Sequence, residues 1–150
     1  MDQAEAVAEL VERLLGRPLL DERQVRRKAV ELLPEPGQRD KGRGTLQLRL
    51  AEPAAGELIS GPKRDIALLE RVQAGPDSRV TVLDISLDRN REDLLRILAA
   101  GADVRWFDHH FAGELPHHSR LWARIEPAPE CSTSGLVDEH LEGRFRVWAV

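Results

Sequence analysis

Two hydrophobic strands that each end in an aspartate constrain the fold more than any other feature of this sequence. Residues 79–85 read RVTVLDI, and this β-branched, nearly continuous apolar run predicts a strand that is covered on both faces. A second strand is predicted at residues 104–107. A helix with its apolar residues at helical spacing is predicted between them, carrying Leu94, Leu95, Ile97 and Leu98.

A strand, a helix and a strand within about 30 residues form a βαβ unit, which pairs its two strands in parallel. The predicted fold class is therefore α/β, with an open, mainly parallel sheet flanked by helices. Leu46, Leu48 and Leu50 alternate with polar residues and favour a further strand, although a short helix accommodates the same letters. The remaining predicted elements are a short apolar step at 57–60, a helix over 61–75, a strand at 122–125 and a helix at 132–141.

Two N-terminal helices are predicted to precede this sheet. Residues 3–15 place Val7, Leu10, Val11 and Leu14 on one helical face. A second helix is predicted at 21–33, where Asp21 can cap the start and Pro34 ends it. The segment PEPGQRDKGRG at 34–44 has the composition of a linker. These features predict a helical extension and linker over residues 1–43 and an α/β domain over residues 44–150.

Length and charge exclude several classes of protein. The 150 residues fit the size of one domain, and 22 Lys and Arg against 26 Asp and Glu argue against a strongly basic nucleic-acid binder. Cys131 is the only cysteine, so no internal disulfide can form. No apolar run approaches the roughly 20 residues that span a bilayer, and the acidic N-terminus does not resemble a signal peptide. A cytoplasmic protein without membrane contact is the expectation.

Asp84 and Asp108 close the two strands of the βαβ unit. Ligands of open parallel sheets bind beyond the carboxyl ends of the strands, so both carboxylates are expected at one edge of the sheet. Neighbouring strands lie about 5 Å apart, and two carboxylates held that close repel each other unless a proton or a cation lies between them. The simpler alternative is that Asp84 only caps the turn before the next helix.

Histidines follow the second aspartate directly, at positions 109 and 110. A carboxylate together with neutral imidazoles suits Mn, Zn, Fe or Co. Successive residues of a strand point to opposite sides, so His109 and His110 are expected to face different ways, one towards a metal and the other towards substrate. His117 and His118 are expected in a solvated turn. A transition-metal site built from all four histidines is an alternative.

The sequence FDHH at 107–110, preceded by VLDIS at 82–86, resembles the DHH superfamily of phosphoesterases. The resemblance covers residues 45–150 and implies a Rossmann-like DHH domain that hydrolyses phosphodiesters, phosphomonoesters or phosphoanhydrides with metal-activated water. It implies Asp84 as the metal-bridging acid, His109 as a metal ligand, Asp108 as its partner or orienting group, and His110 as a contact to the phosphoryl oxygens.

The resemblance also implies a divalent metal, Mn²⁺ first and Mg²⁺ or Co²⁺ as alternatives. The expected partners are a phosphorylated small molecule, a nucleotide or a short oligonucleotide. Further candidates for phosphate binding are Lys63 and Arg64, whose simpler interpretation is surface charge. Ser132 and Thr133 are also candidates, at a helix start whose simpler interpretation is a cap.

The chain departs from the family pattern where an Asp-x-Asp motif is expected. Asp40 is the candidate metal ligand there, Gln38 stands where the other acid belongs, and no apolar strand is predicted before them. A later aspartate and a second domain are implied by the family but are not found up to Val150, which predicts a partial domain with weak or absent hydrolysis. The alternative is a non-catalytic binding or assembly module, in which the two N-terminal helices bind a partner or a second copy.

Overall fold

The computed structural model describes residues 28–34, 43–53, 56–61 and 65–146. Helices and strands alternate along the described chain, as an α/β fold requires. In order they are β1 (Lys28–Pro34), α1 (Arg43–Ala51), β2 (Gly56–Gly61), a 3-10 helix (Leu68–Arg71), β3 (Ser78–Leu83), a second 3-10 helix (Asp88–Asn90), α2 (Arg91–Ala99), β4 (Asp103–Asp108), β5 (Leu121–Ile125) and α3 (Thr133–His140).

Among the described residues, five strands form one sheet in the order β2-β1-β3-β4-β5, and every neighbouring pair is parallel. This arrangement confirms the predicted open parallel sheet flanked by helices. The βαβ unit is also confirmed, since β3 and β4 are neighbours and α2 connects them. Leu83 pairs with Phe107 in register, so the residues that follow each of these two strands leave the sheet at the same edge.

Both faces of β3 and β4 are covered, which explains their nearly continuous apolar sequences. Val80 and Val82 lie in register with Val104 and Trp106, and all four belong to the core cluster that includes the apolar side of α2. Full burial of one such side chain stabilises the fold by roughly 1.5–3 kcal/mol. Residues of α2 in this cluster are Leu94, Ile97 and Leu98.

The opposite face of the sheet packs against α1 and α3. Leu83 and Phe107 form a second buried cluster there with Leu48 of α1. The two helices also contact each other, and Gly44 permits this approach because a Cβ atom at that position would lie 3.3 Å from Val137 Cγ2. The residues that α3 and the turn after it contribute to this cluster are Leu136, Val137 and Leu141.

The predicted helix at 21–33 is wrong where the structure describes it, because Lys28–Pro34 is strand β1. This strand lies between β2 and β3 and pairs with both of them. Its run of apolar residues is typical of a strand inside a sheet, and partner strands far along the chain override the helical spacing. The sheet therefore includes residues that the boundary at residue 44 assigned to the N-terminal extension. The predicted helix at 3–15 lies outside the described residues.

The strand favoured by the alternation of Leu46, Leu48 and Leu50 is also wrong. These residues lie on helix α1, which agrees with the alternative of a short helix. Only Leu48 of the three is buried, whereas the polar Gln47 beside it is fully buried. Gln47 is tolerated there because its Nε2 donates a hydrogen bond to the backbone oxygen of Phe145, 3.4 Å away. A buried glutamine on the helix face explains why the apolar residues alone indicated the wrong period.

The predicted helix over 61–75 is mostly wrong in the part that the structure describes, residues 65–75. The helical segment there is the 3-10 helix at Leu68–Arg71. Leu68, Leu69 and Val72 are buried as expected, but Ile66 is 51% exposed. A single short turn is enough to direct three apolar side chains into the core, so a longer helix is not needed. The helix predicted between the two aspartate-ending strands, the helix predicted at 132–141 and the strand predicted at 122–125 are confirmed.

Candidate metal centre

Asp84 follows β3 in a backbone conformation that non-glycine residues rarely adopt. Its φ is 57°, in the left-handed region, where most side chains are strained. Its backbone N–H donates to the oxygen of Phe107 at 3.0 Å, and Trp106 Nε1 donates to the oxygen of Ile85 at 3.0 Å. These two bonds from β3 and β4 hold the turn after Asp84 in place. A non-glycine residue held in this conformation is typical of functional sites.

The carboxylate of Asp84 is buried and meets groups from two other parts of the chain. Thr133 Oγ1 donates a hydrogen bond to Asp84 Oδ1 at 3.1 Å, and His109 Nε2 lies 2.9 Å from the same oxygen. The Asp84 side chain is only 4% exposed, while the His109 side chain is 37% exposed. This pair therefore joins a buried acid to an imidazole that solvent can reach.

Asp108 is completely buried at the end of β4. Its Oδ1 accepts a hydrogen bond from the backbone N–H of His109 at 2.8 Å and lies 2.6 Å from His110 Nδ1. Its Oδ2 is buried and has no hydrogen-bond partner among the described residues. Burial raises the pKa of the Asp108 carboxyl, and the hydrogen bond and charge of His110 oppose this rise. A buried carboxylate oxygen without a partner is costly unless a proton or a cation satisfies it.

The rings of His109 and His110 lie side by side, with centroids 4.6 Å apart and an interplanar angle of 53°. This differs from the expectation that the two side chains face opposite ways. Strand β4 ends at Asp108, so the alternation of side chains along a strand stops before these two residues. The two imidazoles therefore approach the same group of acids.

Asp84, Asp108, His109 and His110 together form a group that can hold a metal ion. Each offers one ligand atom, and these atoms lie within 4.8 Å of one another. His109 Nε2 and Asp84 Oδ1 are 2.9 Å apart, close enough for both atoms to contact one ion at roughly 2.0–2.2 Å. The spacing of the donors and the partnerless Asp108 Oδ2 both fit a bound cation.

Ser132 and Thr133, the candidates for phosphate binding at the start of α3, both make hydrogen bonds within the protein. Ser132 is the N-cap of α3, and its hydroxyl accepts a hydrogen bond from the backbone N–H of Gly135 at 3.1 Å. This is the capping role that the sequence offered as the simpler interpretation. Thr133 instead donates a hydrogen bond to Asp84, so its hydroxyl contacts a carboxylate of the candidate metal centre.

The other predicted site residues are not part of the group. His117 and His118 are exposed, as expected for a solvated turn, and His118 Nδ1 accepts a hydrogen bond from the backbone N–H of Arg120. Neither belongs to the metal-binding group, so the described structure does not assemble the four-histidine alternative. Three further candidates lie outside the described residues, namely Asp40, Lys63 and Arg64.

Asn90 supports the turn after Asp84, a role that no local pattern in the sequence indicates. The residue is 1% exposed, its Nδ2 donates to the oxygens of Ile66 and Ser86, and its Oδ1 accepts from the backbone N–H of Leu69. Asn90 precedes α2, yet its side chain makes no capping bond to that helix. Asp88 lies exposed in the preceding 3-10 turn and provides no cap either.

Arg91 holds the loop that follows His110. Its guanidinium donates to the backbone oxygens of Ala112, at 2.8 Å, and Glu114, at 2.6 Å. A charged side chain that spans 21 and 23 residues of sequence to bind two carbonyl groups cannot be recognised from local spacing. Arg91 therefore fixes one border of the candidate metal centre.

Fold and site together define an α/β protein with a candidate metal centre at the carboxyl ends of two neighbouring parallel strands. No protein-family model matches the sequence, and no curated protein matches it. None of the helices in the described part of the chain is long and apolar enough to cross a membrane. The resemblance to the DHH superfamily therefore depends on the sequence motifs alone.

Proposed function

We propose that this chain is a DHH-type, metal-dependent phosphoesterase domain with weak hydrolytic activity. The observation that carries the proposal is the contact between Asp84 and His109, which come from the ends of two neighbouring parallel strands. Nitrogen and carboxylate donors suit Mn²⁺, Co²⁺ and related transition metals better than Mg²⁺, and Mn²⁺ is our first choice.

The four residues of the metal-binding group divide into two pairs in this proposal. Asp84 and His109 hold the cation, and Thr133 fixes the orientation of the Asp84 carboxylate. Asp108 fixes the ring of His110 through Nδ1, which leaves Nε2 as the nitrogen available to a phosphoryl oxygen. A bound divalent cation would supply Lewis acidity and positive charge for the phosphoryl group.

Strand β1 supports the assignment of Asp40 as a further ligand. The absence of an apolar strand before Asp40 was a departure from the family, but the structure places strand β1 at Lys28–Pro34. Leu32 pairs in parallel with Val82, so β1 leaves the sheet at the same edge as the strand that ends before Asp84. The order of elements therefore agrees with the family, and Asp40 stays a prediction because residues 35–42 are outside the described part.

The test is hydrolysis of bis-p-nitrophenyl phosphate and short oligonucleotides by the full chain with added Mn²⁺. We expect slow turnover that requires the metal and falls by about tenfold or more in His109→Ala, since this variant removes a ligand. His117→Ala is the matched control, because it removes an exposed histidine outside the group, and it should keep the wild-type rate.

Two results would overturn the phosphoesterase assignment. Equal turnover by wild type and His109→Ala would place the activity elsewhere. No turnover by a wild-type chain that binds Mn²⁺ would show that the fold keeps a cation without hydrolysis, and would favour the alternative of a non-catalytic binding module.

A further inference from the structure

A groove lined by charged and aromatic side chains begins at the edge of the sheet opposite the candidate metal centre. Its volume is about 550 Å³, and Arg79, Asp103 and Leu121, at the amino ends of β3, β4 and β5, help to line it. Asp103 and Asp108 are the first and last residues of β4, so the Asp103 end of the groove lies about 16 Å from the metal centre at roughly 3.3 Å per residue. We call it the arginine groove and define it by Glu52, Arg79, Arg105, Arg120, Trp122 and His140.

Positive charge exceeds negative charge in the arginine groove. Arg105 Nη1 lies 3.0 Å from both oxygens of Glu52, and Arg79 Nη1 lies 3.7 Å from one of them. Arg120 Nη1 is paired with Asp103 at 3.1 Å. Two guanidinium groups thus share the single carboxylate of Glu52, which leaves an excess of one positive charge in a concave surface.

The three arginines differ in their freedom to bind a ligand. Arg105 is only 16% exposed and is held by Glu52 and by Thr81 Oγ1, at 3.4 Å, so it supplies a fixed positive charge. Arg79 and Arg120 are 43% and 46% exposed, so their guanidinium groups can reach a ligand in solution. Exposed guanidinium forks are well suited to bidentate binding of phosphate.

Aromatic rings form the other part of the arginine groove. Trp122 is 45% exposed, and its ring packs against His140 and Phe107 at centroid distances of 5.0 and 5.1 Å. Burial against these rings, together with the charge of Arg105, lowers the pKa of His140, so the imidazole adds no positive charge near neutral pH. The partly exposed indole presents a flat apolar surface on which a planar base can stack.

We propose that the arginine groove binds a nucleotide, with its phosphate on Arg79 and Arg120 and its base on Trp122. The cavity volume lies in the range of about 300–1,000 Å³ that is usual for small-molecule sites. Phosphate alone would need only the arginines, and a neutral base would need only the indole. The two together select a phosphorylated nucleoside. The groove shares no lining residue with the metal-binding group, and the inference does not depend on the proposed phosphoesterase activity.

The experiment is calorimetric titration of the full chain, in EDTA, with AMP, adenosine and inorganic phosphate. AMP should bind more tightly than adenosine or phosphate. Arg79→Ala and Arg120→Gln should each weaken AMP binding by about fivefold, the loss expected for one hydrogen bond of about 1 kcal/mol. Trp122→Leu should weaken AMP binding but leave phosphate binding unchanged. Arg89→Ala, an exposed arginine outside the groove, is the matched control and should bind AMP as the wild type does.

Three results would overturn the inference. Absence of AMP binding would exclude the site, and equal binding of AMP and adenosine would exclude a role for the phosphate. Loss of AMP binding in His109→Ala, with Arg79→Ala and Arg120→Gln unaffected, would place the nucleotide at the metal centre instead. EDTA removes divalent cations from the AMP titration. Absence of AMP binding under these conditions would therefore say nothing about the Mn²⁺-dependent phosphoesterase activity.

Discussion

His109 Nε2 lies 2.9 Å from Asp84 Oδ1, although the two residues are 25 positions apart and follow different strands. Their contact is a direct consequence of the parallel pairing of β3 with β4, in which Leu83 lies opposite Phe107. The sheet thereby brings an acid and an imidazole together at an edge where open α/β sheets bind ligands. Thr133 and Asp108 then fix the orientations of the groups around this pair.

Thr133→Val tests whether the hydroxyl orients Asp84 for metal binding. Valine has nearly the same shape but cannot donate to Asp84 Oδ1, so the carboxylate loses one of the groups that fix it. We expect Mn²⁺ affinity to fall by about tenfold, as for other groups that orient metal ligands. Thr133→Ser keeps the donor and should bind Mn²⁺ like the wild type in a calorimetric titration. Equal affinities for the Val and Ser variants would contradict this role.

The backbone of Asp84 gives a prediction about stability. Both Asp84→Gly and Asp84→Ala remove the carboxylate, but only glycine adopts a φ of 57° without strain. The Gly variant should therefore be more stable than the Ala variant by about 1 kcal/mol in urea unfolding. Asparagine tolerates this conformation, so Asp84→Asn should fold normally. An Ala variant at least as stable as the Gly variant would show that the turn relaxes.

Asn90→Ala should destabilise the protein because its amide bonds the backbone groups of Ile66, Leu69 and Ser86. The substitution removes two donated hydrogen bonds and one accepted bond from a fully buried position. We expect a loss of about 2–4 kcal/mol in the free energy of unfolding, measured in urea. The exposed neighbour Asp88 is the control, since Asp88→Ala should change stability by no more than about 0.5 kcal/mol. A loss below 1 kcal/mol for Asn90→Ala would indicate that water replaces the amide.

His140 links stability to pH. Burial against Phe107 and Trp122 and the charges of Arg105 and Arg144 lower its pKa from the ordinary 6.5, with Glu52 opposing them. The unfolded chain therefore takes up a proton on this residue at higher pH than the folded chain does. Stability from this residue is complete above the unfolded pKa and decreases as pH falls through 6.5 towards the lower folded value.

Urea unfolding of His140→Gln between about pH 7.5 and pH 5.5 measures this effect. The variant should lose less stability over this range than the wild type. His117→Gln removes an exposed histidine and should lose stability in parallel with the wild type. Parallel curves for His140→Gln and the wild type would contradict the assigned shift.

The sequence predicted the part of the fold that local patterns determine. Strands β3, β4 and β5 and helices α2 and α3 follow from their own apolar spacing and turn residues. Strand β1 could not be predicted in this way, because its conformation depends on pairing with β2 and β3, which come much later in the chain. Helix α1 was only the alternative to a favoured strand, because a buried glutamine, Gln47, replaces an apolar residue on its inner side.

The candidate site also has a part that local patterns predict and a part that depends on contacts between distant residues. Asp84 and Asp108 were predicted to meet because strand ends of a parallel βαβ unit lie at one edge of the sheet. The closeness of both His109 and His110 was not predicted, since it depends on where β4 ends. The contact of Thr133 with Asp84 spans 49 residues and has no local signal. Thr133 comes close to Asp84 only because α3 packs on the sheet.

Binding of Mn²⁺ to the full chain tests the candidate metal centre most directly. We expect calorimetry to show about one Mn²⁺ ion per chain in the wild type and in His117→Ala, with affinity reduced by about tenfold or more in His109→Ala and Asp84→Asn. Because these variants leave the strands intact, their circular dichroism should match that of the wild type. Unchanged Mn²⁺ affinity in His109→Ala and Asp84→Asn, or no binding by the wild type, would contradict a metal centre at this edge of the sheet.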